Sequence, residues 1–372
     1  MVVLGSTGSI GQNSLRLIEK FGIGVEGLVA GQNWRLLARQ IEQFGPRLVA
    51  VGSREVAEKL TSLHLSHRFK LFWGEEGILE LLEESQSKQV INGLVGESGV
   101  RPTLKAVELG KEVGLANKES LVVAGQFIDT SKIFPIDSEH FAIWELIKGR
   151  RDEVVKIVIT ASGGAVRTLP LSHFSRLTPE EVLDHPNWEM GAKITIDSST
   201  MVNKLFELLE AYWLFKIPNL EGVIEPTSTL HGLIELKDGG VMAHLSRPDM
   251  ALPIAHFLKR DGVERVIPSL PLVGLQLQLL PIEEERYPVW KIAPLLLRQP
   301  QLGVVVNTIN DRMVELFLNR KLPFPAIATT ILEGVERFEG AEVNSLSQLW
   351  ELKREVERWL DKRIKGGRWS GV

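Results

Sequence analysis

Over the first third of the chain, short apolar runs alternate with amphipathic stretches of helical period. Residues 2–4, 24–30, 48–51, 90–95 and 114–116 are predicted strands, with predicted helices at 12–20, 34–44, 54–63, 77–84 and 103–108 between them. Strands alternating with helices in this way predict a βαβ sheet covered on both faces. From about residue 154 the pattern changes. Residues 154–160, 192–196, 222–225, 230–236 and 240–245 read as strands with few helices between them, which predicts an open, largely one-sided sheet. Pro268, Pro271 and Pro281 then fall too close together for a long helix or a central strand, so that stretch reads as a linker. After Tyr287-Pro288 the helical period returns, at 292–298, 312–318, 326–338 and 345–365.

The composition removes several classes of function. The 372 residues include 43 Lys and Arg against 47 Asp and Glu, a net charge of −4, so there is no electrostatic footprint for nucleic acid or an anionic membrane surface. Any anionic ligand is then small and held locally. The absence of cysteine excludes a disulfide framework, a thiolate metal site and a thiol nucleophile. No apolar run reaches the roughly 18 residues of a membrane span. Nor does a basic leader precede Val2-Val3-Leu4, and the expectation is a cytoplasmic protein.

Gly5-Ser6-Thr7-Gly8-Ser9-Ile10-Gly11 follows the first predicted strand and opens a helix. Glycine admits a tight turn and lets the backbone approach a pyrophosphate, whose charge then lies at a helix N-terminus with outward N–H groups. Thr7, Gly8, Ser9 and Ile10 would line that anion. The spacing is GxxGxxG and not the commoner GxGxxG, so context carries the assignment, and a glycine-rich turn without a ligand is the alternative. The second strand runs into Gly31-Gln32-Asn33-Trp34-Arg35 with no carboxylate for a ribose 2′-hydroxyl. Gln32, Asn33 and Arg35 suit a 2′-phosphate, which favours NADP over NAD.

Asp137 and Glu139 lie two residues apart after an apolar run, and in extended backbone such residues point to one side. Oxygen-only ligation suits Mg²⁺ or Mn²⁺, while a solvated acidic turn is the alternative. A third carboxylate follows in the segment from Asp197 to Glu207, read as a helix entered through a Ser/Thr-rich cap. Asn203, Lys204 and Glu207 share a face there, so Glu207 suits a metal while Asn203, Lys204 and the cap hydroxyl Ser198 suit a phosphate. A capped surface helix is the other reading.

Three more segments carry chemistry. Thr160-Ala161-Ser162-Gly163-Gly164 ends a strand with a hydroxyl and a flexible backbone, which suits an anion. Residues 184–191 gather His185, Trp188 and Met190 around Pro186 and Gly191 and read as a mobile lid over a nicotinamide, although such a Trp also fits a core position. Asn117, Lys118 and Glu119 fall at the carboxyl end of a strand, where polar side chains face a ligand crevice. Lys118 suits developing negative charge and Asn117 or Glu119 a cofactor ribose. A polar helix cap is the alternative.

Taken together, GSTGSIG at 5–11, ANKESLV at 116–122, DSEH at 137–140, SGG at 162–164, HPNWEMG at 185–191, DSSTMVNKLFE at 197–207, PDM at 248–250 and PIAH at 253–256 resemble the 1-deoxy-D-xylulose-5-phosphate reductoisomerase family, colinearly over essentially the whole chain. The resemblance implies an α/β protein with a Rossmann-like NADPH domain at 1–136, an α+β catalytic domain with an open sheet at 137–259, a linker at 260–287 and a helical domain at 288–372. It implies conversion of 1-deoxy-D-xylulose 5-phosphate to 2-C-methyl-D-erythritol 4-phosphate on the non-mevalonate route to isoprenoids.

A divalent cation (Mg, Mn or Co) is implied on Asp137, Glu139 and Glu207, and the phosphate on Ser162, Ser198, Asn203 and Lys204. Ser138 and Glu139 would meet the substrate hydroxyls, with Lys118, Glu139 and His185 at the chemistry. Trp188 would close over the substrate, and Met190 and Gly191 would lie near the nicotinamide. The family also implies a homodimer. This chain departs from it at Gln32, commonly basic, and at Glu225-Pro226-Thr227, where His and Gln are usual. An NADP-dependent phosphosugar or semialdehyde reductase without rearrangement is the competing enzyme reading, and a nucleotide-sensing module without turnover the competing class.

Overall fold

The computed structural model describes residues 1–367 apart from His64, Glu189 and Asp261. Glu189 of the expected lid, Asp261 of the expected linker and residues 368–372 of the helical segment thus lie outside the described residues. Two compact units are assembled from separated stretches. Met1–Ser120, Ile128–Phe141 and Asp249–Pro268 form the first, and Leu121–Phe127, Ala142–Pro248 and the chain from Ser269 onward form the second.

In the first unit the strands are β1 (Val2–Leu4), β2 (Gly27–Ala30), β3 (Leu48–Val51), β4 (Lys70–Trp73), β5 (Gln89–Asn92), β6 (Glu112–Leu115) and β7 (Ile133–Pro135). Among the described residues they make one seven-stranded sheet in the order β4-β3-β2-β1-β5-β6-β7. Every pairing is parallel. β1, β2 and β3 are buried at every position, which is why they read as continuous apolar runs without alternation. β4 and β7 were not among the expected strands: β4 is an edge strand with Lys70 and Trp73 exposed, and β7 is three residues long and ends in Pro135.

The order reverses between β1 and β5, and a doubly wound sheet opens its ligand crevice at the carboxyl ends of such a pair. Gly5 stands there at φ +79°, and a Cβ on it would lie 2.5 Å from the Gly93 carbonyl oxygen beyond β5. Only glycine permits that approach. The returning segment Asp249–Pro268 joins this unit through the apolar helix Ala251–Leu258, which packs on the helix Ser9–Lys20. Its Phe257 ring lies 5.6 Å from Phe134 of β7.

The second unit holds β8 (Val154–Ala161), β9 (Leu220–Ile224), β10 (Leu230–Leu236) and β11 (Val241–Leu245), in the order β11-β10-β8-β9. β8 and β9 are parallel, and β10 is antiparallel to both β8 and β11. The helix Val202–Phe215 covers β8 and β9, and the buried helix Gly303–Leu318 packs between Pro325–Phe338 and Leu346–Lys365. The expected strand at 192–196 is instead part of the helix Ala192–Thr200. Its β-branched Ile194, Thr195 and Ile196 favour a strand locally. The helix is held by a 3.0 Å bond from the Thr195 hydroxyl to the Gly191 carbonyl and by the Lys193–Asp197 ion pair at i, i+4. Among the described residues, no helix is long and apolar enough to cross a membrane.

Candidate functional site

In the first unit, the turn after β1 is locked from below. The buried Ser6 hydroxyl donates to Gln40 Oε1 at 2.8 Å, and Gln40 Nε2 returns a 2.8 Å bond to the Ser6 carbonyl. The helix Ser9–Lys20 starts on Gly8 without a side-chain cap, so its first amides remain available to an anion. Gly8 and Ser9 are exposed, with Thr7 and Ile10 partly so. Beyond β2, Gly31, Gln32 and Asn33 are exposed, and Asn33 Oδ1 caps the helix Trp34–Phe44 through the Leu36 amide.

β6 and β7 are parallel neighbours, so the residues that follow them meet. Lys118 Nζ lies 3.0 Å from Asp137 Oδ2, with both side chains largely buried. Asp137 also accepts from the Glu139 amide at 3.3 Å and faces His140 Nδ1 at 3.2 Å. It therefore caps the helix Ser138–Ile147, where its negative charge complements the helix dipole. Asp137 and Glu139 thus do not share an extended strand, as the sequence pattern predicted. They sit one on the cap and one in the first helical turn, and Ser138 donates to Glu139 at 2.5 Å. Asn117 turns inward: its Nδ2 donates to the Leu94 and Gly96 carbonyls and to Glu119, and its Oδ1 accepts from Ser120. An amide so engaged organises the loop after β5.

In the second unit Ser162 follows β8 into Gly163 and Gly164, both at positive φ. A Cβ on Gly164 would lie 2.6 Å from Ser199, so glycine lets this turn press against the end of the helix Ala192–Thr200. Ser162 Oγ then lies 3.0 Å from His185 Nε2 and 3.4 Å from Ser198 Oγ. Ser198 is in the last turn of that helix, not at the cap of the next one. The chain breaks at Met201, φ 71°, before the helix Val202–Phe215 begins. On that second helix Asn203 donates to Glu207 at 2.5 Å and Lys204 pairs with the same buried carboxylate, so the face expected from the spacing is formed.

His185 Nδ1 accepts from the amides of Asn187 and Trp188, each at 3.1 Å, which assigns the ring proton to Nε2 and makes that atom the donor toward Ser162. Burial pushes the imidazole below its ordinary pKa, favouring this neutral form. Trp188 is half-buried, with its ring edge-on to His231 at 6.5 Å. Met190 is half-buried and Gly191 exposed. Two contributors escaped the sequence reading. The fully buried Tyr287 donates from its hydroxyl to the Gly163 carbonyl at 2.8 Å, and burial pushes that phenol up to about 12, so it stays a donor. His140 supports Asp137. The DSEH string contained its signal, whereas Tyr287-Pro288 read only as a boundary.

A parallel sheet with an uncapped glycine turn at its switch point, joined in one chain to a mixed sheet ending in a Ser, His and Gly cluster, defines a dinucleotide-dependent α/β oxidoreductase. Residues 1–125 match the family model described as 1-deoxy-D-xylulose 5-phosphate reductoisomerase, 133–215 its C-terminal domain, and 245–359 the DXP reductoisomerase C-terminal domain. The reductoisomerase of Nautilia profundicola is 48% identical over 371 residues, covering 98% of this chain and 100% of that protein. That of Wolinella succinogenes is 45% identical over 363 residues, covering 97% and 100%. A solved DOX-P reductoisomerase in complex with NADPH, fosmidomycin and magnesium superposes with a TM-score of 0.90 at 30% identity, over 98% of both chains. The Zymomonas mobilis enzyme in complex with NADPH gives 0.88 at 31%, again over 98% of both. The chain belongs to the 1-deoxy-D-xylulose 5-phosphate reductoisomerase family, and it is an enzyme of the oxidoreductase and isomerase kind.

Proposed function

We propose that this chain rearranges and reduces 1-deoxy-D-xylulose 5-phosphate to 2-C-methyl-D-erythritol 4-phosphate, with NADPH and one divalent cation. The observation that carries the reading is the gathering of Ser162, His185 and Ser198 within 3.4 Å of one another beside two positive-φ glycines. That cluster of donors is built for an anion and has no evident role in a core. Ser162, Ser198, Asn203 and Lys204 bind the substrate phosphate, a group remote from the reacting carbons whose binding energy positions the rest of the molecule.

Asp137, Glu139 and Glu207 offer oxygen donors alone, a set that fits Mg²⁺, Mn²⁺ or Co²⁺. When bound, the cation supplies Lewis acidity at the ketone and its neighbouring hydroxyl, and NADPH supplies the hydride. The chain does the positioning. Ser138 and Glu139 meet the substrate hydroxyls, and Lys118, oriented by Asp137, stabilises negative charge developing on substrate oxygen. His185 donates through Nε2–H, and Trp188 shields the reacting carbons from water. Thr7, Gly8, Ser9 and Ile10 receive the pyrophosphate. Gly31, Gln32 and Asn33 serve the adenosine ribose, and Glu119, Met190 and Gly191 the nicotinamide half, while Asn117, its amide spent within the loop after β5, acts by holding that loop.

A homodimer is part of the proposal. Leu272, Val273, Leu277 and Leu279 are exposed, and Leu275-Gln276-Leu277-Gln278-Leu279 has the alternation of a strand. Operation in the cytoplasm belongs to it too, on the need for a reduced dinucleotide pool. Product identification by NMR tests the reaction: a branched C-methyl polyol phosphate supports it, and an unbranched reduced pentose phosphate would mark a reductase without rearrangement.

A further inference from the structure

Parallel neighbours β8 and β9 end at the same edge of their sheet, and the residue that follows β9 is an acid in an unusual setting. Glu225 is fully buried, and its amide extends the ladder to the Ala161 carbonyl at 2.8 Å. Its carboxylate collects four donors. Oε1 accepts from the Thr227 amide at 3.0 Å and the Thr227 hydroxyl at 2.8 Å, while Oε2 accepts from the Thr229 amide at 2.8 Å and the Leu230 amide at 3.2 Å. A buried carboxylate needs such a set of donors to be tolerated, and in return it fixes the backbone that supplies them. Here that backbone is the whole turn leading into β10, including Ser228 at φ 54°.

The outer side of this turn is where the lid segment rests. Asn187 Nδ2 donates to the Pro226 carbonyl at 2.7 Å and to Ser228 Oγ at 2.9 Å, both of which the Glu225 clamp holds in place. From Asn187 the connection continues through the 187 and 188 amides to His185, and through His185 to Ser162. We propose that Glu225 is a positioning residue for the lid: by clamping residues 226–230 it presents the two acceptors that dock Asn187, and so sets the placement of Trp188 and the His185 ring. Glu225 would touch no substrate atom and act only through Asn187. The inference rests on reading residues 184–191 as the lid of the proposed site.

The test compares Glu225→Gln, Asn187→Ala and the double variant by hydrogen exchange of the Asn187 and Trp188 amides in the full chain without substrate. It also compares KM for 1-deoxy-D-xylulose 5-phosphate and for NADPH. The carboxamide of Glu225→Gln turns an NH₂ toward at least one backbone donor, the Thr227 amide, in place of an acceptor, so the clamp loosens without a change of shape. Either single variant is expected to speed exchange at both amides and to raise KM for the sugar phosphate about tenfold, with KM for NADPH unchanged. The double variant is expected to be no worse than Asn187→Ala alone.

Wild-type exchange in Glu225→Gln, acceleration no greater than at the amides of β8, or effects that multiply in the double variant, would overturn the proposal, since a merely structural role speeds exchange throughout the unit and not selectively at these two amides. If Glu225→Gln does not fold, Thr227→Val removes one donor and decides by the same two amides. Exchange needs neither substrate nor turnover, so the result stays readable in a chain that lacks the proposed activity.

Discussion

Lys118 Nζ and Asp137 Oδ2 face one another at 3.0 Å because β6 and β7 are parallel neighbours ending at one edge of the sheet. A buried cation held by a capping carboxylate is oriented before any substrate arrives, so little reorganisation remains for the reaction. Replacing it by Lys118→Gln is expected to lower kcat by about 10²–10³, the usual effect of losing one preorganised stabiliser, with a much smaller change in KM. Steady-state kinetics check this, and a loss confined to KM would contradict it.

His185 gives the fold a definite acid response. Burial holds its folded pKa below the ordinary 6.5, so the unfolded chain binds more protons as the pH falls through that value. The stability this side chain contributes is complete above 6.5 and is lost as the pH falls toward the lower folded value. The midpoint of thermal unfolding should therefore fall less steeply on acidification in His185→Gln than in the wild type. Parallel curves for the two proteins would show that His185 is not buried as described.

Tyr287 anchors the turn that carries Ser162. Tyr287→Phe leaves the buried Gly163 carbonyl unpaired, at a cost of about 1–3 kcal/mol in unfolding free energy. The substrate KM is expected to rise with it, since the carbonyl orients the neighbouring donors. Denaturant melts and kinetics on the same preparation measure both effects.

Gly164→Ala should be worse than an ordinary surface change. The position has φ +65°, and the new Cβ would press on Ser199 at 2.6 Å. Backbone strain alone costs about 1–3 kcal/mol, and relief by moving the helix end displaces Ser198. Lower stability together with weaker phosphate binding by calorimetry is the expected result, and an unchanged protein would contradict the close approach.

How much was legible in the sequence depended on how local the determinants are. The glycine turn and β1 to β3 were readable because a positive-φ requirement and full burial leave direct marks on residues 2–11, 27–30 and 48–51. Asn203, Lys204 and Glu207 were readable from helical spacing. The helix Ala192–Thr200 was not, since Ile194, Thr195 and Ile196 pattern like a strand, and one of its restraints, the 2.7 Å bond from Asn310 to Asp197, comes from 113 residues away. Tyr287 was invisible for the same reason, its partner Gly163 lying 124 residues back. For Asp137 and Glu139 the residues were evident and the geometry was not, because a capping acid and an extended acidic pair look alike in one dimension.

On the proposed function, this chain oxidises NADPH against 1-deoxy-D-xylulose 5-phosphate through a site that includes Glu207. The most direct measurement follows NADPH absorbance with that substrate and Mg²⁺ or Mn²⁺, then with excess EDTA, in the wild type and in Glu207→Gln. Oxidation is expected to stop on chelation, to return with added metal and to be lost in the variant. Oxidation that persists in EDTA, or a variant as active as the wild type, would contradict it.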